Sequence, residues 1–207
     1  MKALLLKDWY MAVRYCRMYP VIVALFAVLS YSGEGSDFNL FYPALLCGMI
    51  PVNLIAYDER SRWSCYGDTM PFTRGQTVCA KYLFGLLAQA AAAVVMAAVQ
   101  GVRMVQDNVF SWLPIFLSFA TAMALALFAS GFCLPFVFKL GAEKGRIAYL
   151  VAVALGAVLV ALLSAPVGQA FLVASPVVQS FALLAAGAAV YLLSMGLSVR
   201  FYRKREL

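Results

Sequence analysis

The charged side chains that could do chemistry are concentrated in one stretch, residues 56–82, which lies between two long apolar segments. Asp58 and Glu59 form an acid pair there that could be taken as a metal site. Adjacent residues of a helix do not face the same way, however, and no second carboxylate cluster supports the pair. The sequence also has no histidine, which removes the usual acid–base group at neutral pH and the commonest metal ligand. We therefore predict neither a catalytic site nor a metal site.

The other reactive residue types point to no further chemistry within the chain. No C-x-x-C motif occurs, so neither a zinc site nor a redox pair is indicated, and we interpret the scattered cysteines as small apolar side chains. The phosphate-cradling pattern G-x-x-x-x-G-K-[ST] is also missing from the sequence. We expect this chain to bind no cofactor. If the protein moves something, the energy has to be received from elsewhere, and the polar stretch is the natural place to receive it.

The polar stretch has the internal order of a small folded unit. Asp58 can cap the start of a helix, because its side-chain oxygen can accept hydrogen bonds from the first backbone N–H groups. Thr73 followed by Gln76 is a capping-box pattern for a second helix that starts near Arg74. The sequence therefore predicts a short helix at 58–66, then a bend, then the next helix. A helix of that length is only ~13 Å long, which suits insertion into a groove on a partner.

The elements that must position this stretch are membrane helices. Apolar residues make up 65% of the chain and charged residues 12%, which excludes an ordinary soluble domain. The sequence predicts an all-α, polytopic integral membrane protein with a single transmembrane domain over residues 1–207. We expect about six spans, because apolar runs long enough to cross a bilayer recur along the chain. They are predicted at residues 18–32, 38–57, 77–100, 111–137, 147–164 and 177–199.

The segment before the first span, residues 1–17, has an amphipathic pattern. On a helical wheel, Leu5 and Trp9 belong to one apolar stripe, whereas Lys7 and Arg14 lie on the opposite side. This pattern is typical of a helix that lies in the headgroup plane of a membrane. The alternative interpretation is a basic extension of the first span.

The basic residues predict the orientation of the chain in the membrane. When the loops are assigned to alternate sides, every lysine and arginine except Arg103 falls on the same side. The positive-inside rule then places both termini and the loop at 58–76 in the cytoplasm, and the protein in the cell membrane. No charge lies deep inside a predicted span, which argues against an ion-coupled transporter. The sequence leaves open whether the uncharged segment 165–176 re-enters the membrane.

The polar stretch resembles the signature of the small ABC-2-type transporter permeases. The resemblance is carried by the runs Tyr57-Asp58-Glu59-Arg60-Ser61-Arg62-Trp63, Tyr66, Met70-Pro71-Phe72-Thr73-Arg74 and Ala80-Lys81-Tyr82. The first eight residues are similar to the opening of that family, and the layout of spans also agrees. The specific part of the resemblance therefore covers the first 82 residues, and the general part covers nearly the whole chain.

The resemblance implies a permease subunit that pairs with a second permease copy or a paralogue. It also implies a cytoplasmic ATP-binding subunit, which uses the ATP. The helix at 58–66 would be the coupling helix in a groove of that subunit, with Trp63 and Tyr66 as buried anchors. The ATPase contact so implied consists of Asp58, Glu59, Arg60, Arg62, Trp63 and Tyr66, and the turn into the third span consists of Pro71, Thr73 and Arg74.

The functional hypothesis is a membrane-spanning subunit of an ATP-driven exporter for an amphiphilic cargo, such as a peptide or a lipid-like or drug-like molecule. The alternative is a non-transporting membrane scaffold whose loop docks a cytoplasmic partner. A membrane enzyme is disfavoured because the residues for catalysis are missing, and no nucleic-acid partner is expected. The sequence leaves the cargo, the direction of transport and the choice between homodimer and heterodimer open.

Overall fold

Helices form every regular element that the structure describes. The computed structural model describes residues 2–31, 38–63, 66, 73–141, 147, 150–151, 154 and 176–204. The helices are α1 (Lys2–Tyr15), α2 (Met18–Tyr31), α3 (Phe38–Cys47), α4 (Ile50–Arg60), α5 (Arg74–Gln106), α6 (Trp112–Leu140) and α7 (Pro176–Lys204). Most of the predicted fifth span, the segment 165–175 and Pro71 lie outside the described residues.

The predicted polytopic membrane fold is confirmed. Among the described residues, four segments are long and apolar enough to cross a membrane, namely Asn39–Arg60, Arg74–Gln106, Trp112–Lys139 and Val177–Tyr202. They correspond to the predicted second, third, fourth and sixth spans. A fifth crossing is possible if α1 and α2, which are bent by 67° relative to each other, count as one broken span.

The predicted helix start at Asp58 is wrong. Asp58 lies inside the last turn of α4, which continues to Arg60 without a break. The helix ends because Arg62 adopts a left-handed backbone conformation with a φ of 52°. Asp58 has no free N–H groups to cap, because those that follow it are bonded within the helix, as in the donation of Ser61 N–H to the Tyr57 backbone oxygen at 3.0 Å. Its carboxylate is engaged by two lysine side chains instead. Apart from Tyr66, the part of the predicted coupling helix beyond Trp63 lies outside the described residues.

The predicted helix start near Arg74 is confirmed. The backbone N–H of Gln76 donates to the Thr73 hydroxyl at 3.3 Å, and the backbone N–H of Thr73 donates to the Gln76 side-chain oxygen at 3.2 Å. This is the reciprocal capping box that the sequence pattern predicts. It defines where α5 begins.

Small residues bring α6 and α7 close together. A Cβ atom at Gly187 would lie 3.1 Å from the backbone oxygen of Ala124, and one at Gly131 would lie 3.3 Å from the Cα of Tyr191. Small side chains let helix backbones approach closely within a membrane, where packing is a main source of helix association. The largest buried apolar core is built on this pair of helices, together with α3, α4 and α5.

Candidate functional site

Four charged side chains meet where α1, the end of α4 and the beginning of α5 come together. We call Lys7, Asp8, Asp58 and Lys81 the charge cluster. The Lys81 Nζ lies 2.6 Å from the Asp8 carboxylate and 2.7 Å from the Asp58 carboxylate. The Lys7 Nζ lies 2.8 Å from Asp58 and 3.5 Å from Asp8. Each ammonium group therefore contacts both carboxylates, so the cluster ties three helices together.

The charge cluster is buried and electrically balanced. The side chains of Asp8 and Lys81 are 1% and 3% exposed, and those of Asp58 and Lys7 are 13% and 19% exposed. Buried charges are tolerated only when they are paired and hydrogen-bonded. Removing one partner of such a group typically costs about 3–5 kcal/mol, because the opposite charge is left uncompensated. The cluster therefore holds the middle of α1, the end of α4 and the first turns of α5 in fixed relative positions.

The face of α1 that packs on the protein differs from the predicted apolar stripe. Leu4 and Asp8 are buried on the inner face, whereas Trp9 is 59% exposed. Lys7, which was expected on the solvated side, is directed towards Asp58. The exposed position of Trp9 is compatible with lipid contact, and the predicted place of α1 in the headgroup plane stays a prediction.

Lys81 lies near the start of the predicted third span, where the sequence also places it, but the burial of its side chain was not predicted. This residue lies in the second turn of α5 and its side chain is almost fully buried. Its partner Asp8 is 73 residues away in the sequence, and Lys7 and Asp58 are 51 residues apart. The sequence shows that the N-terminal segment and the polar stretch each contain acidic and basic residues. No local pattern indicates which of these charges would meet.

Further contacts fasten the bend between α1 and α2 to α4. The Tyr15 and Tyr57 rings stack with their centroids 4.3 Å apart. One turn before Tyr57, the Asn53 side-chain amide donates to the Tyr19 hydroxyl at 2.7 Å. Together with the charge cluster, these contacts anchor both sides of the bend on the same helix. The N-terminal segment is therefore a fixed part of the bundle.

Of the predicted contact residues, Asp58, Trp63 and Tyr66 lie at or beside the charge cluster. The Lys7 ammonium lies 4.4 Å from the centre of the Trp63 ring, a cation–π distance. The Trp63 ring in turn packs against the Tyr66 ring, with centroids 5.4 Å apart. Tyr66 is nevertheless 55% exposed. Trp63 thus contacts both the Lys7 ammonium of the charge cluster and the exposed ring of Tyr66.

The other predicted contact residues lie outside the charge cluster. Arg60 and Arg62 are exposed, and Glu59 is half-buried. Thr73 and Arg74 lie at the start of α5, as the capping box requires. Within the described parts of the chain, no three cysteine, aspartate or glutamate side chains are grouped in a way that could hold a metal ion. Exposed polar and aromatic residues therefore lie next to the buried charge cluster.

Comparison with protein families places the chain in a known group. A family model described as "ABC-2 family transporter protein" matches residues 3–203, and therefore nearly the whole chain. None of the curated proteins that were compared with the chain matches it.

Proposed function

The chain belongs to the ABC-2 transporter family, and from this premise we propose that it is the permease subunit of an ATP-driven exporter. In this proposal a separate cytoplasmic ATP-binding subunit binds and hydrolyses ATP. The present chain carries the path across the membrane and pairs with a second permease copy or a paralogue.

The observation that supports this proposal best is the position of the charge cluster. Asp58 lies just before the connection between α4 and α5, and Lys81 lies just after its end. These two residues form an ion pair with each other, and each also forms an ion pair with a residue of α1. A force applied to the connection would therefore reach three helices at once. This is the mechanical property that a subunit driven from outside the membrane requires.

The surface that we propose for the ATP-binding subunit consists of Glu59, Arg60, Arg62 and Tyr66. Aromatic and arginine side chains contribute most of the binding energy at many interfaces. We assign Asp58 to the support beneath this surface, because its carboxylate is held by two lysines. The Trp63 ring supports Tyr66 by packing against its ring. We propose that this surface faces the cytoplasm, because the positive-inside rule favours that side for segments rich in lysine and arginine.

We propose an amphiphilic cargo. The sequence has no charged residue between Asp107 and Lys139, nor between Arg146 and Arg200. Segments without charge offer no strong site for a small ion, since ion pathways in membranes are usually marked by ionisable residues. Uncharged helices would suit a peptide, or a lipid-like or drug-like molecule, better than a small ion.

The test is co-purification of this chain with a candidate ABC ATP-binding subunit from the same organism. Replacing Arg62 by glutamate and Tyr66 by alanine should weaken the complex, because hot-spot residues contribute about 2 kcal/mol or more each. That corresponds to roughly 30-fold in affinity for each residue. Stimulation of ATP hydrolysis by the permease should fall in parallel. Arg103→Glu is the matched control, because we place Arg103 on the opposite side of the membrane.

Two outcomes would decide against the proposal. If the double variant binds the ATP-binding subunit and stimulates hydrolysis as the parent does, the proposed surface is wrong. If the parent binds a cytoplasmic partner but never changes its ATPase rate, the scaffold function is favoured instead.

A further inference from the structure

Two consecutive residues of α5, Lys81 and Tyr82, bind to different parts of the bundle. Lys81 contacts Asp8 of α1 and Asp58 of α4. Tyr82 is directed elsewhere, because consecutive residues of a helix are separated by about 100° around its axis. Its side chain is 1% exposed and reaches α7.

The contact between Tyr82 and α7 is made by buried hydroxyl groups. The Tyr82 hydroxyl lies 2.7 Å from the Ser194 Oγ and 2.6 Å from the Ser198 Oγ, which are one turn apart on α7. In the other direction, the Tyr191 hydroxyl donates to the backbone oxygen of Tyr82 at 2.7 Å. The two tyrosine rings meet edge to face, with centroids 5.0 Å apart. These bonds link α5 to three successive turns of α7.

Helix α5 contacts both of these regions. It packs against α1 and α4 on the one hand and against α6 and α7 on the other. Hydrogen bonds and ion pairs have narrow ranges of distance and angle, so helices joined by them cannot slide past each other without breaking them. Apolar contacts alone would allow such sliding more readily. Lys81 and Tyr82 therefore join α1, α4 and α7 at one level of the bundle.

We infer that Lys81 and Tyr82 transmit movement from the charge cluster to α7. This inference rests on the proposed function, in which an ATP-binding subunit moves the connection between α4 and α5. Lys81 carries this movement into α5, and Tyr82 passes it to α7 through Ser194 and Ser198. Lys81 and Tyr82 act as positioning residues, and neither is required for contact with the ATP-binding subunit.

The experiment uses the full complex with its ATP-binding subunit in liposomes. An environment-sensitive fluorophore is attached to a single cysteine, with the native cysteines replaced. One position is Ala3→Cys on α1 and the other is Leu193→Cys on α7, and both original residues are exposed. The measurement is the fluorescence change on addition of ATP and vanadate, which arrests the ATPase. The parent complex should show a change at both positions.

The decisive variant is Tyr82→Phe, which keeps the ring and removes the hydroxyl. We expect the signal at position 3 to persist and most of the signal at position 193 to be lost. The double variant Asp8→Asn with Lys81→Gln should have the same effect, because it keeps the cluster electrically balanced while removing the link through Lys81. Tyr10→Phe is the matched control, since Tyr10 is exposed, and it should retain both signals.

The outcomes separate this inference from the proposed function. Signals at position 193 that persist in both variants overturn the transmission role. Loss of co-purification in Tyr82→Phe also overturns it, because the pair would then serve assembly. A parent complex that shows no nucleotide-dependent change at position 3 overturns the proposed function, and the inference falls with it.

Discussion

Replacing Lys81 by methionine tests the central element of this structure, the charge cluster. In the parent, two ammonium groups balance two carboxylates in a site where Lys81 and Asp8 are almost fully buried. In the variant, Lys7 alone faces both carboxylates, at 2.8 Å from Asp58 and 3.5 Å from Asp8. The variant therefore leaves an uncompensated negative charge beneath the protein surface.

The expected loss in the free energy of unfolding is about 3 kcal/mol. This is the lower end of the range for removing one partner from a buried ion pair, because Lys7 remains to compensate in part. The double variant Asp8→Asn with Lys81→Met leaves the balanced pair of Lys7 and Asp58. It should recover roughly 2 kcal/mol of the loss, since the two sites are in direct contact and their effects are not additive.

The assay is reversible unfolding of the purified protein by titration with SDS in mixed micelles, followed by tryptophan fluorescence. The matched control is Lys2→Met at an exposed position of α1, where a change within about 0.5 kcal/mol is expected. A loss below about 1 kcal/mol for Lys81→Met would refute the reasoning. A double variant that is no more stable than the single variant would refute it as well.

The remaining predictions concern helix packing, capping and orientation. Gly187→Ala should lower the free energy of unfolding by about 1 kcal/mol or more, because the added methyl group meets the backbone of α6. Gly196→Ala should raise it by up to about 1 kcal/mol, because alanine favours the helix and no atom lies near the added methyl group. Thr73→Val should cost about 1 kcal/mol through loss of the helix cap, and Thr73→Ser should retain that cap. Both comparisons use the same SDS titration. A cysteine at Arg62 should react with a membrane-impermeant maleimide only after cells are permeabilised, whereas one at Asn108 should react in intact cells.

Each of these predictions has an outcome that contradicts it. Equal effects of the two glycine substitutions would mean that α6 and α7 are not closely packed at Gly187. If the serine variant of Thr73 is as unstable as the valine variant, the capping box does not stabilise α5. The reverse labelling pattern for the two cysteines would invert the orientation and remove the proposed ATPase surface from the cytoplasm.

The class of protein and most of its helices could be predicted from the sequence because they depend on short-range properties. Long apolar runs have to be membrane helices, since a bilayer does not satisfy unpaired backbone groups. The capping box at the start of α5 joins Thr73 and Gln76, which are only three residues apart, so it could be predicted from the local sequence. The family match over residues 3–203 agrees with the resemblance drawn from the polar stretch.

The role of Asp58 shows what the sequence left undetermined. An aspartate after an apolar run can cap a helix or bind a lysine, and both choices are locally reasonable. In the assembled bundle α4 continues past Asp58, so there is no helix start to cap, and the carboxylate forms ion pairs with Lys7 and Lys81. The same applies to Lys81, whose burial depends on partners in two other helices.

The sequence by itself therefore determined that this chain is a membrane-embedded bundle with a polar connection between α4 and α5. The tertiary structure decided which charges meet, which face of α1 is buried, and that Tyr82 is bonded to α7. The physical reason is the range of the interactions: backbone satisfaction and capping act within a few residues, whereas buried charges and hydroxyl groups are paired by the packing of distant helices.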